Sequence, residues 1–454
     1  MLSSKAGKSV STESQFDMEM KLNLITKHAT EDVKFKFTSL AHLLNETTLK
    51  ECFNMLDKGK AAGIDNVTYE EYEVYLNTNI QKLVKNMKAG KYYPQPVRRT
   101  YIPKGDAKLR PLGIPSLEDK IVQMGITRIL NAIYETNFLD CSYGYRKGRD
   151  CHVALKQLDN AIMTKPVNYV IDADICGFFD NVDHEWMMKM LQEKIADKNL
   201  LKLISRFLKA GVMEDGKIEI SDKAVPQGGL ISPILSNIYL HYALDLWVEK
   251  VIKRETKGFV KLIRYCDDFV ILAQYKEDTD MILKATNERL NKFGLDLSQQ
   301  KTRVIEFGRY AAQNAQKRGC KPATFDFLGF THICDKSRKG NFKLGRITRK
   351  KKYNAKLVEM NNWLKDIRNA VKIKEWWKTL EAKLRGHYQY YGVSGNHVSI
   401  SKFYRETCNL VFKWINRRSQ KRSMNFEQFV DYMNKYPLPK PKIRHNFYIL
   451  SGNM

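Results

Sequence analysis

Along this chain apolar positions repeat with two different periods, and the switches between them mark the elements. Leu262-Ile263, Tyr265-Cys266-Asp267-Asp268 and Phe269-Val270-Ile271-Leu272 read as strand, tight turn and strand, with two adjacent carboxylates at the tip. The run Tyr169-Val170-Ile171-Asp172-Ala173-Asp174-Ile175 is a second strand. Asp172 and Asp174, two apart, share one of its faces. Pro226-Gln227-Gly228-Gly229-Leu230-Ile231-Ser232-Pro233 opens a helix, with Ser232 as N-cap and Pro233 at the first helical position. From Phe35 to about Pro103 the pattern is mainly helical, broken at Gly63-Ile64-Asp65. Ser116 with Asp119 three residues on is a capping-box signature, and the helix behind it buries Ile121 or Val122, Ile126, Ile129 and Ile133. Three stripes at helical spacing follow later: Leu357, Met360, Leu364, Ile367, Val371, then Trp377, Leu380, Leu384, His387, Tyr391, then Phe403, Thr407, Leu410, Trp414. They predict a small helical bundle in which His387 is a core or groove histidine. No internal repeat interrupts the order.

Length and charge narrow the class. At 454 residues the chain has room for about three domains of ~150 residues each. Lysine and arginine number 77 against 50 acidic residues, an excess of 27, which calls for a polyanionic partner. Nucleic acid fits that charge better than a membrane surface: no apolar run approaches the roughly 18 residues of a spanning helix, and the N-terminus lacks an apolar signal core. A cytoplasmic protein with no membrane partner is expected. The eight cysteines form no C-x-x-C pair and have no histidine at zinc spacing, so neither a disulfide framework nor a zinc site is predicted.

Two aspartates at so apolar a hairpin tip call for a compensating positive charge, and a divalent cation bound through oxygen supplies it. Taken alone, a DD turn would read as an ordinary polar turn. Asp174 completes a set suited to two-metal phosphoryl transfer, in which carboxylates from separate strands hold two cations about 3.5–4 Å apart. Asp172 and Asp180 read instead as a strand-end cap or ion-pair partners. The glycines of 226–233 allow close backbone approach, and Gln227 offers an amide to a base pair or sugar. A boundary is expected near Asp335. Beyond it Lys336, Arg338, Lys339, Lys343, Arg346, Arg349, Lys350, Lys351 and Lys352 come without an acid, as a linker along which a phosphate backbone could lie. Arg417-Arg418-Ser419-Gln420-Lys421-Arg422 is a second candidate contact.

In their order and spacing, IDADICGFFDNVDH, PQGGLISPILSNIYL and RYCDDFVIL resemble a reverse transcriptase, specifically the group II intron-encoded reverse transcriptase and maturase family. The likeness extends through YIPKGDAKLRPLGIPSLEDKIVQ to FDFLGF and LRGHYQYYGVSGN, from about Phe35 to Ile443. It implies an α+β right-hand polymerase: fingers and palm with an antiparallel sheet, plus a C-terminal α-helical thumb or X domain. Residues 1–34 would then be an N-terminal extension, 35–335 fingers and palm, 336–425 the thumb, and 426–454 a basic tail.

Carried over by position, the resemblance makes Asp174, Asp267 and Asp268 the catalytic ligands of two Mg²⁺ ions, with Mn²⁺ as a substitute. Phe179 would abut the sugar of the incoming nucleotide, with Phe178 as its rival, and a bulky ring there would crowd a 2′-OH. Gln227 would lie against the nascent pair, Lys104, Lys108 and Arg110 near the triphosphate, and Phe327-Leu328-Gly329 at the primer end. Lys336, Arg338, Arg349, Lys350, Lys351, Lys352, Arg417 and Arg418 are the expected nucleic-acid contacts. Partners would be an RNA template, a DNA or RNA primer, dNTPs and structured group II intron RNA. The implied function is RNA-directed DNA polymerisation with maturase activity. The alternatives are a chiefly RNA-binding splicing factor and a host-adopted enzyme of defence or DNA repair. A nuclease domain of the HNH type is not expected. Cys266 stands where alanine is commoner in the family, Asn66 where glycine is, and Lys147 and Asp150 where proline and serine are. A thiol at Cys266 would make activity oxidant-sensitive.

Overall fold

The computed structural model describes residues 6–105, 108–214, 216–219, 221–225, 227–418 and 423–448, with the side chains of 6–17, 104, 105 and 108 outside that description. The helix Ala6–Glu31 lays Met18, Ile25 and Ala29 into the main core beside the helix Leu117–Tyr134. Strands β1 (Val97–Gly105) and β2 (Lys108–Ile114) pair antiparallel. After them Ser116 caps the helix, its hydroxyl accepting from the Asp119 amide at 3.3 Å, and all five predicted isoleucine and valine positions are fully buried. Only half of the capping box forms. The Asp119 carboxylate accepts from the Tyr92 hydroxyl and, at 3.0 Å, the Gln95 amide instead.

Strand β3 (Ser142–Tyr143) is two residues long, and β4 (Tyr169–Asp174) ends on the second aspartate of its face. Strands β5 (Val212–Glu214) and β6 (Lys217–Glu219) extend the first sheet to the order β2-β1-β5-β6. Strands β7 (Val260–Tyr265) and β8 (Asp268–Ala273) are the predicted hairpin. With β9 (Arg303–Glu306) they complete a central sheet in the order β3-β7-β8-β4-β9, antiparallel except where β3 meets β7. Strands β10 (Phe325–Phe327), β11 (Phe330–Lys336) and β12 (Phe342–Thr348) make a third, antiparallel sheet.

The central sheet serves two cores, because successive side chains of a strand point to opposite faces. Ile171, Ala173, Phe269 and Ile271 pack into one core with the N-terminal helices, while Val170, Val270 and Leu272 pack into the other with β10–β12 and the C-terminal helices. Asp172, Asp174 and Asp268 have the parity of the second set. They stand at the end of the face that looks toward β10–β12.

Several expectations need correction. The basic run 336–352 is no linker: β11 and β12 pair along their length, the predicted boundary at 335/336 falls inside that hairpin, and the helical part starts at Lys350. Arg346 of this run is buried, donating to Asp159 at 2.5 Å. The helix opened by the glycine-rich turn spans Ser232–Leu240 with Ile231 as N-cap, one residue earlier than predicted, and continues through π-helical turns at His241–Asp245 and Val248–Ile252. Helices Lys350–Ala370, Ile373–Tyr391 and His397–Ile415 match the three stripes, and buried His387 stacks on Phe403 at 3.8 Å. Residues 426–454 are no basic tail where they are described. Phe426–Lys435 is a helix with a full capping box at Asn425 and Gln428, Phe429 and Leu438 are buried, and His445 bridges to Val393 and stacks on His152. Among the described residues no helix is long and apolar enough to cross a membrane.

Candidate active site

Register brings the acids together. On adjacent antiparallel strands Asp174 lies directly opposite Asp268, a position in which Cβ atoms stand about 4.5–5.5 Å apart. Asp267 belongs to the two-residue turn between Tyr265 and Asp268, which themselves pair. Such a turn needs left-handed backbone, and Cys266 supplies it with φ 58°. A non-glycine residue there is strained by about 1–2 kcal/mol, so something must hold the turn.

Arg264 holds it. Its guanidinium, fully buried, donates to the Cys266 carbonyl at 2.9 Å and the Ser142 hydroxyl at 2.7 Å, and forks onto Asp245 at 2.7 and 2.5 Å. Asn237 accepts the remaining contact at 3.2 Å and passes its own amide to the Gly144 carbonyl at 3.1 Å. Asp245 sits in the first π-helical turn, the kind of widened turn often found beside functional sites. The sequence reading did not single out Arg264 or Asp245. Their signal was a charge inside an apolar run, VKLIRY and YALDLW, which a buried position tolerates only with a partner.

The electrostatics are those of crowded acids. Burial, then Asp172, Asp267 and Asp174, push the Asp268 carboxyl up to about 7, with Arg349 opposing. Asp172 is also raised, by burial, although Arg303 donates to it at 3.2 Å. Asp174 faces Lys301 at 2.7 Å. Among the described residues no three histidine, cysteine, aspartate or glutamate side chains already converge to ligate one cation. The donor chemistry nonetheless fits a hard divalent cation, all carboxylate oxygen with a proton or cation needed to relieve Asp268. Cys266 is nearly buried, and burial with Asp267 and Asp268 pushes its thiol up to about 12. That opposes the expected oxidant sensitivity, because the reactive species is the thiolate.

The other expected site residues fall in several places. Arg110 donates to the Gln227 side chain at 2.9 Å, and the Gly113 amide donates to the Gln227 carbonyl at 2.6 Å. Gly228, at φ 113°, lies so close to β2 that a Cβ would meet the Gly113 oxygen at 2.5 Å. Gln123, unmarked in the sequence reading, fixes this turn by accepting from the Leu230 amide at 2.7 Å. Phe178 packs on Tyr239 and Phe179, and the Phe179 carbonyl accepts from Val225 just before the glycine-rich turn. Both rings are buried. Lys104 and Lys108 lie on β1 and β2, their side chains outside the described residues.

The expected nucleic-acid contacts do not form one surface. Lys336 and Arg338 sit at the β11–β12 tip, a strand's length from Arg349 and Lys350–Lys352 at the start of the long helix. Arg349 pairs with Asp326 at 2.8 Å and faces the acids. Arg417 lies over Trp414, beside Arg368 near the far end of that long helix. At the helix start Arg349, Lys350, Lys351 and Lys352 are all exposed, Arg349 being the one that pairs with Asp326.

The family model described as reverse transcriptase (RNA-dependent DNA polymerase) matches residues 102–332, a span that holds the opposed aspartates, and the chain belongs to that family. Its relatives place it in the group II intron-like branch. It is 33% identical over 303 residues to the group II intron-encoded protein LtrA of Lactococcus lactis subsp. cremoris, covering 64% of this chain and 50% of LtrA. The chain thus spans about half the length of that relative. It is 34% identical over 289 residues to protein YkfC of Escherichia coli, covering 56% of this chain and 75% of YkfC. An uncharacterized 91 kDa protein in the cob intron of Schizosaccharomyces pombe is 37% identical over 172 residues, 38% of this chain and 21% of that protein.

Proposed function

We propose that the chain is an RNA-directed DNA polymerase that extends a DNA or RNA primer with dNTPs on an RNA template. The observation that carries this reading is the cross-strand opposition of Asp174 and Asp268, with Asp267 at the adjoining turn. In it the central sheet is the palm, β1–β2 with the N-terminal helices the fingers, and the helices from Lys350 on the thumb. The primer 3′-OH attacks the α-phosphate of the dNTP and pyrophosphate leaves. Divalent cations, Mg²⁺ or Mn²⁺, when bound at the three aspartates would supply activation of the attacking oxygen and stabilisation of the leaving one.

The chain's own residues do the rest. Asp268, whose carboxyl is pushed up to about 7 by burial and by the neighbouring acids, would bind a cation in place of its proton. Arg110 and Gln227, already in contact, present a guanidinium and an amide to the nucleotide, where a planar fork suits phosphate. Phe179, five residues past Asp174 and packed on Phe178, is the ring assigned to abut the sugar. The test is primer extension on an RNA template by the full chain and by Asp268→Asn. A loss of at least about 100-fold in rate, with RNA affinity unchanged, is expected. Equal extension by the variant would overturn the reading.

A second activity, intron maturase function through binding of structured group II RNA, is favoured by Lys350, Lys351 and Lys352, which stand exposed together at a helix start with no acid in that turn. It needs no catalytic carboxylate, so the Asp268→Asn chain would keep it. The charge balance and the family together suit a cytoplasmic, nucleic-acid-bound protein.

A further inference from the structure

We propose that Tyr145 is a nucleotide-positioning residue whose ring stacks on the incoming nucleotide beside Arg110 and Asp267; the inference rests on the polymerase reading above. The loop from Ser142 to Asp150 rides on the acid-bearing hairpin. Ser142 and Tyr143 pair with Arg264 and Tyr265, and the Cys266 amide donates to the Tyr143 carbonyl at 3.2 Å. Gly144 follows at φ 81°, its bare Cα against Cys266, where a Cβ would lie 2.6 Å from the sulfur. Tyr145 then takes φ 54°, a left-handed conformation that costs a tyrosine free energy a glycine would not lose.

The strain is held from both sides. Asn237 binds the Gly144 carbonyl at 3.1 Å. Arg146, nearly buried, donates to the carbonyls of Leu139 and Ser142 at 2.9 and 2.8 Å and pairs with Glu135 at 2.9 Å. The Gly144 amide closes the loop by donating to the Arg149 carbonyl at 3.1 Å. All this fixes the backbone that carries a tyrosine 60% exposed. Packing therefore does not explain why the loop is built around it. Its hydroxyl is pushed upward by burial and then by Cys266, while Arg110 pulls it down and Asp267 pushes it up again, so the phenol lies within electrostatic reach of both the Arg110 guanidinium and the acid-bearing turn. Every base presents a π-face, and an exposed ring on a braced backbone at this place favours nucleotides without choosing among the four.

The loop geometry supplies an unusual control, since glycine accepts the Tyr145 backbone without strain. Primer extension by the full chain is measured on an RNA template against dNTP concentration, with thermal stability and primer–template affinity in parallel. Tyr145→Gly is expected to raise KM for dNTP about tenfold, with kcat changed less, primer–template affinity unaltered and Tm equal or higher. Tyr145→Phe is expected to stay near the native KM. An unchanged KM in Tyr145→Gly, or a loss confined to primer–template affinity, would overturn the role of Tyr145 and leave the polymerase reading standing. Absence of extension by the native chain would overturn both.

Discussion

Asp268 shows how one residue can report its own site. Its carboxyl is pushed up to about 7 by burial and by Asp172, Asp267 and Asp174, against about 3.9 in an unfolded chain. Between those values the folded chain holds a proton that the unfolded chain has released, so stability falls as pH rises through that window. In the absence of divalent cations, Asp268→Asn should therefore be more stable than the native chain at pH 8 by about 4 kcal/mol, and close to it near pH 4. Urea titrations at several pH values check this. Parallel pH dependences for the two chains would mean that Asp268 is not crowded by its neighbours. The same crowding accounts for Arg349: its charge is better spent on Asp326 and the acids than on a distant phosphate.

At the scale of elements, the strand–turn–strand and the second acidic strand were legible because apolar runs so regular leave little choice of structure. Pairing was not. Nothing local states that β4 lies beside β8 rather than β9 alone, or that Asp174 faces Asp268, since register is decided by which side chains share a core. The basic run 336–352 misled for a related reason: charge density suggests solvent, yet Arg346, on β12, had Asp159 waiting on the helix Cys151–Thr164. The helix Phe426–Lys435 was hidden by its short apolar stripe between basic stretches. Lys336 and Lys350 looked like one patch because a hairpin, invisible in composition, separates them. Arg264 is the element-scale test. Arg264→Met should cost about 3–5 kcal/mol, because it strands a buried Asp245. Adding Asp245→Leu should restore most of the stability but not primer extension, the turn having lost its tether to the Cys266 carbonyl. Full activity in the double variant, measured beside urea unfolding, would show that the turn holds itself.

For the whole molecule, the 27-charge excess predicts RNA affinity that falls steeply with salt. Replacing Lys350, Lys351 and Lys352 together by Gln should lower the slope of log affinity against log salt by about 2 for single-stranded RNA, three phosphate contacts at about 0.7 each. An unaltered slope would move the RNA elsewhere, with filter binding over a salt series as the measurement. The two-core sheet also constrains how such a molecule can vary. Slide β4 by one residue against β8, and Ile171 and Val170 would trade sides, ruining both interiors at once. Slide it by two, and the greasy sidedness survives while Asp174 moves about 7 Å off its partner. Strand length here is thus under a double lock, one of oil and one of chemistry, whereas the connecting loops outside the acidic turn, the glycine-rich turn and the Ser142–Asp150 loop are free of both. Sequence drift should gather in those loops, and insertions in the two acidic strands should be tolerated nowhere.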